Sequence, residues 1–292
     1  MHRINESAML VSLNISQWRG YKSDKKISDE VARTHSSDPT MGKYRKSLLA
    51  REALASLQKI AGAARDDHYT LTLPWSDVGK RILSSPMYFK YNQTMKAHQT
   101  AFWNEFRNVF QPNYAQYVED ARRLLNGLFK PEEYPSPSKI ESKFAFCMSV
   151  DPIPDAVDFR VDLGDAETAR IKSQIESNVQ STIEFAVKDI WTRLASVVGK
   201  MSERLHAYTD ATEDTPVQSA FRDSLVSNII DLLDIVPLLN ITEDPAIDQF
   251  CKRIRRELTA HSPEELRDSA IVREDTARRA DEILSKMSGY LQ

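Results

Sequence analysis

Apolar and polar residues alternate along LVSLNIS near the start of the chain. Val11, Leu13 and Ile15 fall on one side, and Ser12, Asn14 and Ser16 on the other. A period of two over this length predicts a half-buried strand near residues 10–18. The alternation returns at 143–150, where Phe144, Phe146, Met148 and Val150 oppose Ala145, Cys147 and Ser149. It returns again at 157–163, with Val157, Phe159, Val161 and Leu163 against Asp158, Arg160 and Asp162. The intervening DPIPDA reads as a proline turn, which makes the last two strands a hairpin. The first strand's partners then lie more than a hundred residues downstream, in a short three-stranded antiparallel sheet. Aspartate at Leu13 is expected to unfold this base.

Elsewhere the apolar positions recur at three- and four-residue steps. Residues 27–41 predict a short helix and a loop. From Gly42 to Asp67, Leu48, Leu49, Ala53, Leu57 and Ile60 form a helical stripe. HYTLTLPW is an extended connection, and Ser76 and Asp77 resemble a helix start. A second start at Pro86 opens a seam of Tyr88, Tyr91, Met95, His98, Phe102, Phe106 and Val109. Pro112 bends or restarts this helix, which continues through Tyr114, Val118, Ala121 and Leu125. Phe129–Ser138 is the clearest break. Asp165–His206 carries one stripe from Ile171 to Leu205, a rod of roughly 60 Å at 1.5 Å per residue. The aromatic seam is its expected partner. Three helices follow: one ended by Pro237, one capped by Asp244, and one opened by a Ser262–Pro263–Glu265 capping box.

These elements predict a mainly α protein with a small antiparallel β-sheet (α+β), in which long antiparallel, coiled-coil-like arms stand on a three-stranded sheet. A sheet base spans 10–163 with a helical arm inserted at 43–128. A long helix and a C-terminal helical bundle occupy 164–292.

Composition narrows the chemistry. The 292 residues carry a net charge of −3, so no global basic field attracts nucleic acid. The segment Met1–Asp67 is mildly basic, with twelve Lys and Arg against eight Asp and Glu. MHRINESAML has no apolar core of the secretory kind. The most apolar run, Ile229–Leu239, is interrupted by Asp231, Asp234 and Pro237 and is too short for a membrane span. Cys147 and Cys251 form no framework, which suits a reducing cytoplasm. The sequons at Asn14, Asn92 and Asn240 are then accidents of composition.

The histidines at 2, 35, 68, 98, 206 and 261 form no local ligand pair, and neither cysteine has a neighbour to hold zinc. Asp151, Asp155, Asp158, Asp162 and Asp165 resemble a calcium loop only in density, because Arg160 occupies a ligand position. The Gly-Lys pairs at Lys80 and Lys200 lack the upstream glycine of a phosphate loop, and no nucleophile elbow is present. No catalytic, cofactor or metal residue is assigned, and the chain reads as a non-enzyme. Two short basic patches remain. One is Trp18, Arg19, Tyr21, Lys22, Lys25 and Lys26; the other is Lys43, Tyr44, Arg45 and Lys46. Cations interleaved with aromatics bind single-stranded nucleic acid by phosphate contact and stacking. The alternative is a solvated surface with aromatics packed under lysine stems.

The order of elements carries a resemblance. An LNISQWRGYK strand, a helical insert and YPSPSKIESKFAFCMSVDPIP leading into helices resemble a domain-of-unknown-function family from phages and other mobile elements. LLNITEDPAIDQFCKRIRREL followed by EELRDSAIVREDTARRADEILSKM is similar to that family's ending, so the likeness covers most of the chain. Members are encoded near MoxR-type AAA+ ATPases and von Willebrand A domain proteins. The resemblance therefore implies the cytoplasm of a bacterial host and a motor partner, with no active site to carry over. The leading expectation is an interaction or assembly protein, a helical scaffold that binds protein partners or copies of itself. The alternatives are single-strand nucleic-acid binding through the basic N-terminal third, or an anti-defence inhibitor.

Overall fold

The computed structural model describes residues 4–75, 79–161, 163–210 and 219–291. It is mainly helical with a small antiparallel sheet. The chain runs α1 (Ile4–Ser7), β1 (Ala8–Ser16), β2 (Tyr21–Ser23), α2 (Lys25–Thr34), β3 (Arg45–Ser47), α3 (Glu52–Thr70), β4 (Leu73–Pro74), β5 (Arg81–Ser84) and α4 (Tyr88–Glu105). It continues through α5 (Gln111–Leu125), β6 (Ala145–Asp151), α6 (Asp165–Ala207), α7 (Ser224–Leu239), α8 (Pro245–Leu258), α9 (Pro263–Asp268) and α10 (Ala270–Met287).

The main sheet has four strands, not three, in the order β4-β5-β1-β6. β1 pairs antiparallel with β5, Ala8 opposite Ser84 and Val11 opposite Arg81, and β4 pairs antiparallel with β5. The strand expected at 157–163 does not form. Ala156–Asp158 is one 3₁₀ turn capped by Asp155, and Val157, Val161 and Leu163 are exposed; Asp162 lies outside the described residues. β6, the expected hairpin partner of 157–163, is the edge strand of the sheet, and the Asp155-capped turn takes the chain out of the extended conformation that pairing with it requires. The helix start expected at Ser76 and Asp77 also lies outside the described residues.

The chain divides into two compact units, each made of separated segments. One is Met1–Ser12, Tyr69–Lys90 and Val150–Gln292, and the other is Leu13–His68 and Tyr91–Ser149. The boundary expected at 163–164 falls inside the first.

In the first unit, α6 runs for 43 residues, about 64 Å. Gly164 precedes it at φ +84°, a backbone that favours glycine. Its C-terminal half packs against α10 and α7, and α8 covers both of those helices. Ile190, Leu194, Val198 and Met201 of α6 are buried, as are Ile229 and Val236 of α7 and Ile283 of α10. The C-terminal half of the long helix therefore spends its part of the stripe on α7 and α10; the aromatic seam expected as its partner has its own core with α3 and β6. Trp191 stacks on Tyr290 with ring centres 4.2 Å apart. Arg193 donates to the carbonyls of Tyr69, Thr70 and Thr72, closing a turn whose C=O groups have no helical partner. Asp244 and the Ser262–Glu265 capping box cap α8 and α9 as the sequence predicts. Two boundaries differ: α7 continues past Pro237 to Leu239, and Ser269 starts α10 as a separate helix.

In the second unit, Phe102, Phe106, Phe110 and Tyr114 share a core with Leu57 and Ala61 of α3 and with Phe144 and Phe146 of β6. Residues four apart on an α-helix advance by about 40° at each step, so such a row drifts off one face. A π-helical turn at Phe106–Phe110, where the Gln111 N–H bonds the Phe106 carbonyl, takes up the drift. It ends beside Pro112, whose nitrogen has no proton to give an α-helical ladder. The helix predicted from Gly42 begins only at Glu52, because Arg45–Ser47 forms β3 against β2.

Phe106 is fully buried, 4.8 Å from the Phe144 ring centre. Phe106→Ala should cost about 3–5 kcal/mol, read as a lower urea midpoint by tryptophan fluorescence.

Candidate binding surfaces

All ten residues of the two basic patches belong to the second unit, and the fold joins the patches through β2 and β3. Gly20, at φ +60°, makes the turn out of β1, and its carbonyl accepts the Leu48 N–H at 2.7 Å. Tyr21, Lys22 and Ser23 then pair with Ser47, Lys46 and Arg45. The Asp24 N–H bonds the Tyr44 carbonyl, and the Asp24 carboxylate caps α2 at the Ile27 N–H.

Two of the ten turn away from solvent. Trp18 lies edge-on to Tyr114 and Tyr134 at 6.1 and 6.3 Å, packed on the core. Lys46, the middle residue of β3, has a fully buried side chain. Its Nζ sits 2.7 Å from Glu133 and 3.6 Å from Asp24, and donates to the Leu128 carbonyl at 2.8 Å. Exposed Lys22 and Lys130 reach the same two carboxylates at 3.9 and 3.7 Å. Desolvation opposes ionisation of Asp24, yet the Ile27 N–H, Lys130 and Lys46 together hold its carboxyl below the usual range. Nothing local in the sequence marks Lys130 and Glu133, from the proline-rich break, as partners of this hairpin.

The other eight residues face solvent. Arg45 lies over the Tyr21 ring at 3.6 Å, and Arg19 donates to the Tyr21 hydroxyl. Tyr44 forms one wall of a hollow of about 270 Å³ with Lys43, Val31, Ala32 and Asp38. Lys25 and Lys26 begin α2.

A second surface lies on α6. The helix buries no side chain before Ala186; along these first 21 residues, about 30 Å of rod, its first turns line a hollow with Phe159, Arg160 and Val161. The same stretch carries Ile171, Ile175, Val179 and Ile183, all partly exposed. Phe185, 56% exposed, follows, and Val157, Val161 and Leu163 precede the helix on the chain.

Ser202, His206 and Asp281 also meet, but in an order unsuited to acyl transfer. Asp281 sits in the middle, accepting from the Ser202 hydroxyl and lying 2.9 Å from His206 Nε2. A nucleophile needs the imidazole, not the carboxylate, at its hydroxyl. Among the described residues, no group of three His, Cys, Asp or Glu is placed to hold a metal ion, and no helix is long and apolar enough to cross a membrane. No protein-family model, curated protein or solved structure matches the chain.

Three outcomes follow from this geometry. Lys46→Met strands two buried carboxylates and should cost about 3–5 kcal/mol, whereas Lys43→Glu should leave the urea midpoint unchanged. Ser202 and His206 hold the Asp281 carboxyl below its ordinary value. Its stabilising contribution is therefore present above the unfolded carboxylate value of about 3.9 and is lost as pH falls through the lower folded value. Asp281→Asn should flatten that acid limb in urea midpoints measured against pH. Burial raises the Cys251 thiol to about 12, with Asp248 adding to the effect, while Cys147 is exposed. A thiol reagent at neutral pH should label Cys147 alone in the native chain and both cysteines in denaturant.

Proposed function

We propose that this chain is a non-enzymatic interaction or assembly protein that holds a protein partner along the first half of α6. The observation that carries this reading is the stripe Ile171, Ile175, Val179 and Ile183 on a helical stretch that buries nothing. Four apolar residues at helical spacing, left partly in water, cost free energy that a groove or a second helix recovers. A helix offered in this way is the arm of an antiparallel or coiled-coil-like pairing. The resemblance to a mobile-element family makes a MoxR-type AAA+ ATPase from the same bacterial host the first partner to test, and a second copy of the chain the next.

The test is size-exclusion chromatography with light scattering, for the chain alone and mixed with the ATPase. The wild type should self-associate or join the ATPase. Ile175→Asp with Val179→Asp should abolish that association with no change in the helical circular dichroism signal, because neither side chain supports the core. A monomer that ignores the ATPase, or association that survives the double substitution, overturns the reading.

A further inference from the structure

We infer that the β2–β3 hairpin and the start of α2 form a binding surface for single-stranded nucleic acid, a role apart from the α6 arm. The first argument is electrostatic. The carboxylates nearest the hairpin, Asp24 and Glu133, are engaged by buried Lys46 and by exposed Lys130 and Lys22, and they reach none of the other cations around the hairpin. Lys25, Lys26 and Lys43 have no ion-pair or hydrogen-bond partner among the described residues, and Arg45 has only the Tyr21 ring. With Arg19 they make one cationic face, flanked by Lys22 and Lys130, which are paired with Glu133 and Asp24. Asp29 and Glu30 stand a turn further along α2 without an ion pair to either lysine.

The second argument is that the fold does not need these cations where they are. Lys25 and Lys26 occupy the first two positions of α2, where the helix dipole is already positive and lysine is destabilising. An anion that bridges them with Lys43 or Arg45 relieves this repulsion.

The third argument selects nucleic acid over other polyanions. Tyr21 is held between Arg19 and Arg45, and Tyr44 presents a half-exposed ring beside Lys43 over the apolar floor of Val31 and Ala32. Rings set among phosphate-reaching cations are what unpaired bases stack on, and the arrangement tolerates any base sequence. Asp38, on the rim of the same hollow, keeps its negative charge, favoured by the Thr40 N–H and hydroxyl, and is outnumbered there by the cations.

The test is fluorescence anisotropy of the full chain with a labelled thymidine strand of about 20 nucleotides, from about 50 to 200 mM salt. Binding should weaken with salt, and Lys25→Glu with Lys26→Glu should flatten the log–log slope by about 1.4. Tyr44→Ala should weaken the strand about tenfold and leave inorganic polyphosphate binding unchanged. Lys252→Glu, on exposed α8 surface, should change neither, and urea midpoints should show that every variant folds. No strand binding at the lowest salt, or a loss equalled by Lys252→Glu, overturns the inference. So does an unchanged slope in the double variant. Strand binding indifferent to Tyr44→Ala overturns it too, and identifies a general polyanion face suited to an acidic protein segment.

Discussion

Backbone N–H and C=O groups buried without partners are costly enough that a strand must find a neighbour on each covered edge. β1 meets this requirement with β5 at Ala8–Val11 and with β6 in the order of the sheet, and much else depends on it. β5 lies some seventy residues after β1 and β6 more than a hundred and thirty, so the ladder makes contiguous structure from distant sequence. Leu10 and Val11 are both buried, so this part of β1 is covered on both faces. Of the two partners expected for the opening strand, 143–150 is its neighbour as β6, 157–163 is not, and β5 takes the other edge.

How much of this was legible follows from what each signal depends on. Long helices announce themselves because a 3.6-residue period repeats many times, and α6, α8 and α10 stand close to where the sequence places them. Caps are equally local: Asp244, Ser262 and Glu265 act within four residues of themselves. β3 and β5 are three and four residues long, too short for alternation to register, and RKS and RILS carry little β-branched character. Residues 157–163 show the reverse case, an alternating segment that begins in a 3₁₀ turn and forms no strand among its described residues. The stripe of α6 was visible but its partner was not, since period reveals a face and not what covers it.

The candidate surfaces divide along the same line. The basic patches were readable as composition, and β2–β3 pairing brought them together through backbone bonds that composition does not encode. Lys46 and Trp18 were placed with the exposed members because their types suit a surface. Lys46 is instead the counter-ion of Asp24 and Glu133 inside the unit, and Trp18 packs on Tyr114 and Tyr134. The same two carboxylates also hold exposed Lys22 and Lys130, so the cations left without an acid are Lys25, Lys26, Lys43 and Arg45.

The interleaving of the two units sets an order of synthesis. Leu13–His68 and Tyr91–Ser149 have all left the ribosome once Ser149 has emerged, so that unit can close while the chain is still growing. The other unit includes Met1–Ser12 but cannot complete its core until α10 is made. At a few to twenty residues per second this is a delay on the order of 10 s. During that interval the apolar stripe of α6 waits for α7 and α10, and Ile190, Leu194 and Val198 are as open to a passing partner as Ile171 and Ile175 remain afterwards. Nascent chains of this protein thus present a longer apolar helix face than complete ones, a consequence of the fold's connectivity.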